Sequence, residues 1–542
     1  MTTTAPAPTP LVSAPLASEP RSRAPRALVV TGAVVAALFA GPVLYLAIRT
    51  VGFGDGALDV LGSSDLAGPL ARTLLLATSV SAACVLLGTA LAWLVTRTDL
   101  PGRRVLRVVL VLPLVIPSFV GAFALQAAFA SGGLLDRLLD FGLAPRIEGF
   151  WAAFAVLTLL SYPYVYLPVA ARLAVLPPAL EESARSLGRT PIEVFRTLVL
   201  PQTSGAIAAG ALLTFLYCVS EFGAVSLVRY DTLTLRIEAT RLFDRETSIT
   251  LSLVLALVAL VVVTAERAMA RRRTVIEAVG AGRRVHQTPL GRWRVPALVG
   301  VLILMLVALV APITVLAEWA ARGDSGRFGV GVADDLLGPV ANTVVISVVT
   351  ALVATLAVLP IAYLTARHRS RVGGVVNALV VAGFALPGLV IALALVFWVL
   401  GTPVVSGLYQ SFPLLVFAYV VHFGAQALRA SQVAVSGLPA RLDDAARALG
   451  ARRWRRLRTV ELPLMAPGLA AGAGLVLLAT MKELPATLLL APIGFDTLAT
   501  RIWSASETGL MARAGLTSIV LVALSAVLTW AVTIRRMDRL DR

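Results

Sequence analysis

The sequence predicts an all-α, polytopic membrane protein of about twelve transmembrane helices, built as two parallel six-helix repeats. Three observations carry that expectation. Hydrophobic residues make up 58% of the 542 and the mean hydropathy is +0.87, values that soluble domains do not reach. The apolar residues come in blocks of about 20, the length a helix needs to cross a hydrocarbon core about 30 Å thick. Short polar motifs also recur between the two halves at a nearly constant offset.

The blocks run over 27–48, 70–96, 105–130, 150–171, 204–228, 249–266, 296–318, 340–366, 375–401, 412–436, 466–491 and 514–534. Their apolar runs are continuous rather than alternating, which excludes the strands of a membrane barrel. The first block is longer than a signal-peptide core and is expected to remain as an uncleaved span. Residues 1–25, rich in Pro, Ala, Thr and Ser, are expected to form a disordered cytoplasmic tail.

The net charge of +17 raises the question of a nucleic-acid partner, and its distribution answers it. With the N-terminus inside, 34 of the 47 basic residues fall on the inner side, 12 on the outer side, and Lys482 within a span. That asymmetry is the positive-inside pattern; it predicts a cell-membrane protein with both termini cytoplasmic and leaves no reason for nucleic acid. Cys84 and Cys218 lie in apolar blocks without CxxC spacing and read as small hydrophobes.

The chain is written twice. Glu182 pairs with Asp444, Gly188 with Gly450, Leu200-Pro201 with Leu462-Pro463 and Gly210 with Gly472, at an offset of 262. Thr73 pairs with Thr343 and Ile116-Pro117 with Leu386-Pro387 at 270, and "YDTLTLRI" (230–237) with "FDTLATRI" (495–502) at 265. Six spans per half make both copies begin on the same side, so the repeats are parallel, related by an axis along the membrane normal with a path between them. This divides the chain into a first half, 26–273, a cytoplasmic linker, 274–291, and a second half, 292–542.

Between the fourth and fifth blocks of each half lies a charged segment, "EESARSLGRTPIEVFRTLVLP" (181–201) and "DDAARALGARRWRRLRTVELP" (443–463). Pro177-Pro178 can open a helix, with Glu181 and Glu182 at its positive end and an i,i+4 pair from Glu181 to Arg185. Gly188 suits a left-handed helix end. Thr190-Pro191-Ile192-Glu193 reads as a capping box that starts a second short helix, ended by Pro201. The second copy keeps "AARALG" and the Leu-Pro but replaces the capping box with bases. A helix-turn-helix on the cytoplasmic side follows; a merely solvated loop has no need to hold this pattern twice.

"E-S-A-x-x-x-G" (182–188) and "D-A-A-x-x-x-G" (444–450), each followed by ten variable positions and "V-L-P" or "E-L-P", resemble the EAA loop of ATP-binding-cassette importer permeases. Serine stands for the first alanine in one copy and aspartate for glutamate in the other, changes that keep charge and size. The resemblance, from about residue 27 onward, implies a type I importer fold. It also implies that Glu182, Ala184, Leu187, Gly188 and Pro201, with Asp444, Ala446, Leu449, Gly450 and Pro463, couple the chain to two separate ABC ATPase subunits. "SEFGAVSLVRYDTLT" and "KELPATLLLAPIGFDTLATRIW" are similar to ferric-iron permeases, with thiamine and phosphonate permeases as relatives. An extracellular or periplasmic binding protein is then the remaining partner besides the bilayer. It would rest on Asp231, Arg236, Asp496 and Arg501; the alternative is that Asp-Thr simply caps a re-entering helix in both copies.

Enzymatic chemistry finds no foothold. Lys482 is the only lysine and stands in "TMKELP", so no G-x-x-x-x-G-K-[ST] phosphate loop exists and ATP hydrolysis belongs to another subunit. His286, His368 and His422 are far apart, with no metal-ligand spacing, and no cofactor or metal is expected in this chain. A secondary transporter would work through ionisable residues in its spans, and Glu221 and Glu483 are such residues, again 262 apart. That rival leaves the duplicated loop unexplained. For Glu221 and Glu483 two roles stay open: lining the translocation path, or an inter-helix hydrogen bond that positions the bundle.

Overall fold

The computed structural model describes residues 25–139, 147–270, 288–322, 331–368 and 371–529. The expected tail, up to residue 24, and most of the expected linker lie outside them, as do His286 and the end of the twelfth block. Among the described residues no strand forms, only an isolated parallel bridge between Thr98 and Thr288.

Among the described residues eleven helices are long and apolar enough to span a bilayer, and the helix pair Arg371–Gly383 and Gly388–Leu400, bent by 100°, makes a twelfth when counted as one broken span. The twelve blocks are therefore found, with instructive shifts. The third span is Ser118–Arg137 rather than 105–130. Residues ahead of it form a short helix, Arg103–Val109, and a 3-10 turn, Leu112–Val115. Pro117 is the cause: it offers no N–H and forces Ile116 into extended backbone (φ −80°, ψ 118°). The equivalent Leu386-Pro387 sits at the bend of the ninth span. These repeated dipeptides mark breaks, not mid-span positions.

The fifth and eleventh spans begin earlier than predicted, at Phe195 and Trp454. The second short helix does not end at Pro201. A wide π turn, Phe195–Val199, leads directly into helix Leu200–Ser220, and Leu457–Glu461 leads likewise into Leu462–Met481. A π turn widens the ladder where the proline ring would meet the preceding turn, so the helix passes through the proline.

The halves clasp each other. The first span, Arg26–Gly52, lies on the second half, where Phe39 packs against Gly383 and Gly424. The seventh span, Gly291–Arg322, lies on the first half, with Trp319 Nε1 donating to the Ala127 carbonyl at 3.0 Å. Arg245, opening the sixth span, donates to the Phe397 carbonyl at 2.9 Å and covers the Phe397 ring at 4.6 Å. Within each half the fourth and fifth spans approach through glycine: a Cβ at Gly210 would lie 2.6 Å from Val165 Cα, and one at Gly472 2.6 Å from Ala430 Cβ. The outer surface leaves Val34, Leu38, Leu44, Leu302, Leu306, Leu352 and Leu356 exposed, an apolar belt suited to lipid.

Candidate coupling segments and the break between the halves

The two motif segments fold alike. Helix Pro178–Ser186 ends at Leu187 and helix Ala440–Ala448 at Leu449. Gly188 (φ +79°) and Gly450 (φ +74°) then take the left-handed conformation. Gly188 N donates to Arg185 O at 2.9 Å and Arg189 N to Ala184 O at 3.3 Å, while Gly450 N reaches Arg447 O at 2.9 Å and Ala451 N reaches Ala446 O at 3.0 Å. This paired closure is a Schellman end, and only glycine adopts it without strain. Ala184 and Ala446 face inward, whereas Leu187 is 81% and Leu449 87% exposed. Glu182, Pro201 and Pro463 are exposed; the Asp444 side chain lies outside the described residues.

Glu181 does not pair with Arg185. Its Oε1 lies 3.3 Å from Arg97 Nη1 in a buried ion pair, and Arg97 Nη2 also donates to the carbonyls of Leu173 (2.7 Å) and Leu176 (3.0 Å). Arg185 instead donates to Thr288 Oγ1 at 2.7 Å, and Thr288 N to Arg97 O at 2.8 Å, so the end of the linker is stitched beside the first segment. The capping box is present: Thr190 N donates to Glu193 Oε2 at 2.8 Å and Glu193 N to Thr190 Oγ1 at 3.4 Å. The Thr190 backbone N–H first, and the Thr190 hydroxyl after it, hold the Glu193 carboxyl below its ordinary range. Phe195 turns inward to meet the Trp93 ring edge-on at 5.9 Å.

On the opposite face the repeated "DTL" stretches start helices Leu233–Thr240 and Leu498–Glu507, with Thr232 and Thr497 at the N-cap positions. Thr497 forms a capping box with Thr500. Leu233 N donates to Thr73 Oγ1 at 2.8 Å and Leu498 N to Thr343 Oγ1 at 2.9 Å, which explains why these threonines recur. Arg236 pairs with Asp65 at 3.0 Å and Arg501 with Asp335; Asp231 pairs with Arg72, while the Asp496 carbonyl accepts from Asn342 at 3.0 Å. The capping reading holds by side-chain bond in the second copy only, since Thr232 makes no such bond to its helix, and all four residues are tied to the start of a neighbouring span.

Glu221 and Glu483 lie at breaks rather than within continuous helix. Helix Leu200–Ser220 stops at Glu221, whose backbone is extended, and Leu462–Met481 stops at Lys482. Each carboxylate turns to the next short helix: Glu221 Oε1 accepts from Ala224 N at 2.8 Å and Glu483 Oε1 from Ala486 N at 3.3 Å. Glu221 Oε2 also accepts from Ser118 Oγ at 2.8 Å. In the second half Gly388 stands where the first has Ser118, and His422 Nε2 lies 4.0 Å from Glu483 Oε2. Ser118 starts a 12-residue helix, roughly 18 Å of further rise, so Glu221 lies well inside the bundle. Neither carboxylate faces lipid.

The stop of the long helix just before the carboxylate and the exposed leucine on the preceding segment are repeated in both halves. The profile of the family described as "binding-protein-dependent transport system inner membrane component" matches residues 84–275 and again 358–539. The chain belongs to that family. This permease is 30% identical over 491 residues to the Fe(3+)-transport system permease protein FbpB 2 of Haemophilus influenzae, covering 90% of its own length and 94% of the relative's. It is 33% identical over 172 residues to the sulfate transport system permease protein CysT of Salmonella typhimurium, 31% of this chain and 61% of that one. With the molybdenum transport system permease protein ModB of Escherichia coli it shares 34% over 165 residues, 29% of this chain and 72% of the other. The permease is thus the fused, two-half membrane component of an ABC importer, not an enzyme; ATP hydrolysis resides in a separate subunit. Sequence reasoning missed Arg97, Ser118 and Thr288, whose partners lie 76 or more positions away.

Proposed function

We propose that this permease carries ferric iron from an external binding protein to the cytoplasm, driven by two ATPase subunits, one on each motif segment. The observation that carries the docking role is the pair of exposed leucines, Leu187 and Leu449, each at the tip of a helix fixed by a Schellman end. An apolar knob on a rigid, polar helix suits a cleft in a partner protein. Glu182, Ala184 and Gly188 with Asp444, Ala446 and Gly450 shape the two helices, and Pro201 and Pro463 join each to its span without a flexible hinge. The distribution of basic residues supports placing this face and both termini in the cytoplasm. The opposite face, with Asp231, Arg236, Asp496 and Arg501, is then the platform for the binding protein, and Glu221 and Glu483 flank the path between the halves.

Iron is favoured because the likeness to the Fe(3+) permease runs through both halves, whereas the sulfate and molybdenum permeases match about a third of the chain. Among the described residues no group of three or more His, Cys, Asp or Glu could hold a metal ion, so capture of the cargo falls to the binding protein. The test is titration of that binding protein with ferric iron, sulfate, molybdate, thiamine and phosphonates. Tight binding of ferric iron alone is expected; preference for another of these would move the substrate assignment and leave the transporter class intact.

A further inference from the structure

Lys482 is the point at which the two halves stop being copies. Its counterpart at the offset of 262 is Ser220, whose hydroxyl donates within its own helix to Tyr217 O at 2.9 Å. Lys482 instead crosses to the other half, where Nζ donates to the Leu114 carbonyl at 2.8 Å. Both ends of this bond come from breaks. Leu114 lies in the 3-10 turn that Pro117 separates from helix Ser118–Phe129, so its carbonyl stands outside the α-helical ladder. Lys482 closes helix Leu462–Met481. An ammonium within a bundle is costly unless an acceptor meets it, and this broken turn supplies one from across the interface.

Two further contacts join the halves at the same place. A Cβ at Gly223 would lie 3.3 Å from Leu484 Cδ2, and the Phe222 and Trp503 rings stand 5.6 Å apart. Residues 222–223 of one half and 482–484 of the other thus form a closed junction, with a single charged hydrogen bond across it. We propose that Lys482 is the latch of the translocation path: it pins the second half's break to the first half's turn, and cargo passes only when the ammonium leaves the Leu114 carbonyl. The inference rests on the reading of this chain as the path-forming permease, but not on the identity of the cargo.

The test uses the full complex of permease, ATPase subunits and binding protein in lipid nanodiscs, with Lys482→Met and Lys482→Arg. Lys482→Met keeps length and removes the donor. Its ATP hydrolysis in the absence of binding protein is expected to rise about threefold to thirtyfold, the range spanned by a hydrogen bond inside a helix bundle, and Lys482→Arg is expected to restore low hydrolysis. Unchanged basal hydrolysis in Lys482→Met overturns the latch. A role confined to folding would lower yield without raising hydrolysis per assembled complex, and that also overturns it. A second measurement keeps Lys482: Phe222→Cys with Trp503→Cys, joined by a short bifunctional thiol reagent. Cross-linking is expected in the nucleotide-free complex and lost when vanadate traps the ATPase, whereas equal yield in both states contradicts an opening junction. All of these readouts are independent of cargo, so failure of the iron assignment would leave them interpretable.

Discussion

Arg97 and Glu181 form a buried ion pair, 3.3 Å between Nη1 and Oε1, that fixes the first motif helix to the end of the second span. Their side chains are only 1% and 11% exposed. Removing one partner strands the other charge, at about 3–5 kcal/mol for a buried pair. Arg97→Ala is therefore expected to lower the melting temperature of the purified permease markedly, and Arg97→Met with Glu181→Leu to recover part of the loss. Thermal unfolding of the three proteins in detergent checks this; equal melting temperatures for Arg97→Ala and the parent would contradict it.

Gly188→Val and Gly450→Val force a β-branched residue into left-handed backbone, at about 1–2 kcal/mol each. Both Schellman ends should open and the exposed leucines lose their fixed direction. The expected outcome is continued ATP hydrolysis with loss of uptake in the double variant, measured side by side in proteoliposomes. Normal uptake would remove the docking role from these turns.

The capping box at Thr190 and Glu193 makes a pH prediction with a definite sign. The carboxyl's folded value is depressed, so its contribution is present above the ordinary carboxylate range and is lost as pH falls through the folded value. Acidification through that window should raise hydrogen exchange at residues 190–196, and Thr190→Val should move the transition to higher pH. The second segment has no such box and should not respond in this way. Identical exchange profiles for the two segments would refute the assignment.

Much of this was legible in sequence. The twelve apolar blocks, the duplication, the Gly188 and Gly450 turns and the Thr497 cap all depend on local composition or spacing. The breaks were not. Hydropathy reports partition into lipid and not backbone continuity, so the third block ran through Ile116-Pro117 and the fifth through Glu221. Local rules see only local partners and so give Glu181 a neighbour four residues away; a buried guanidinium from the second span takes its place. Local proline rules make Pro201 a helix end, but the π turn before it lets the helix continue.

The ion pairs on the face opposite the motif segments separate a structural role from a receptor-facing one. Arg236→Glu and Arg501→Glu are expected to weaken stimulation of ATP hydrolysis by the binding protein while basal hydrolysis stays level. Restoring each pair by charge exchange, with Asp65→Arg and Asp335→Arg, should recover stability. It should not recover stimulation if the arginines themselves meet the receptor. Full recovery of stimulation in the exchanged proteins would assign them to structure alone.

The central claim is that the two motif segments dock two ATPase subunits, one each. Its most direct test is site-specific cross-linking from Leu187→Cys and Leu449→Cys, made separately in the assembled complex, with each product identified by mass. The account predicts that each cysteine captures one ATPase subunit, and that the doubly substituted protein captures two. Capture from one position only, or reaction of either cysteine with an impermeant thiol reagent added outside intact cells, would contradict it.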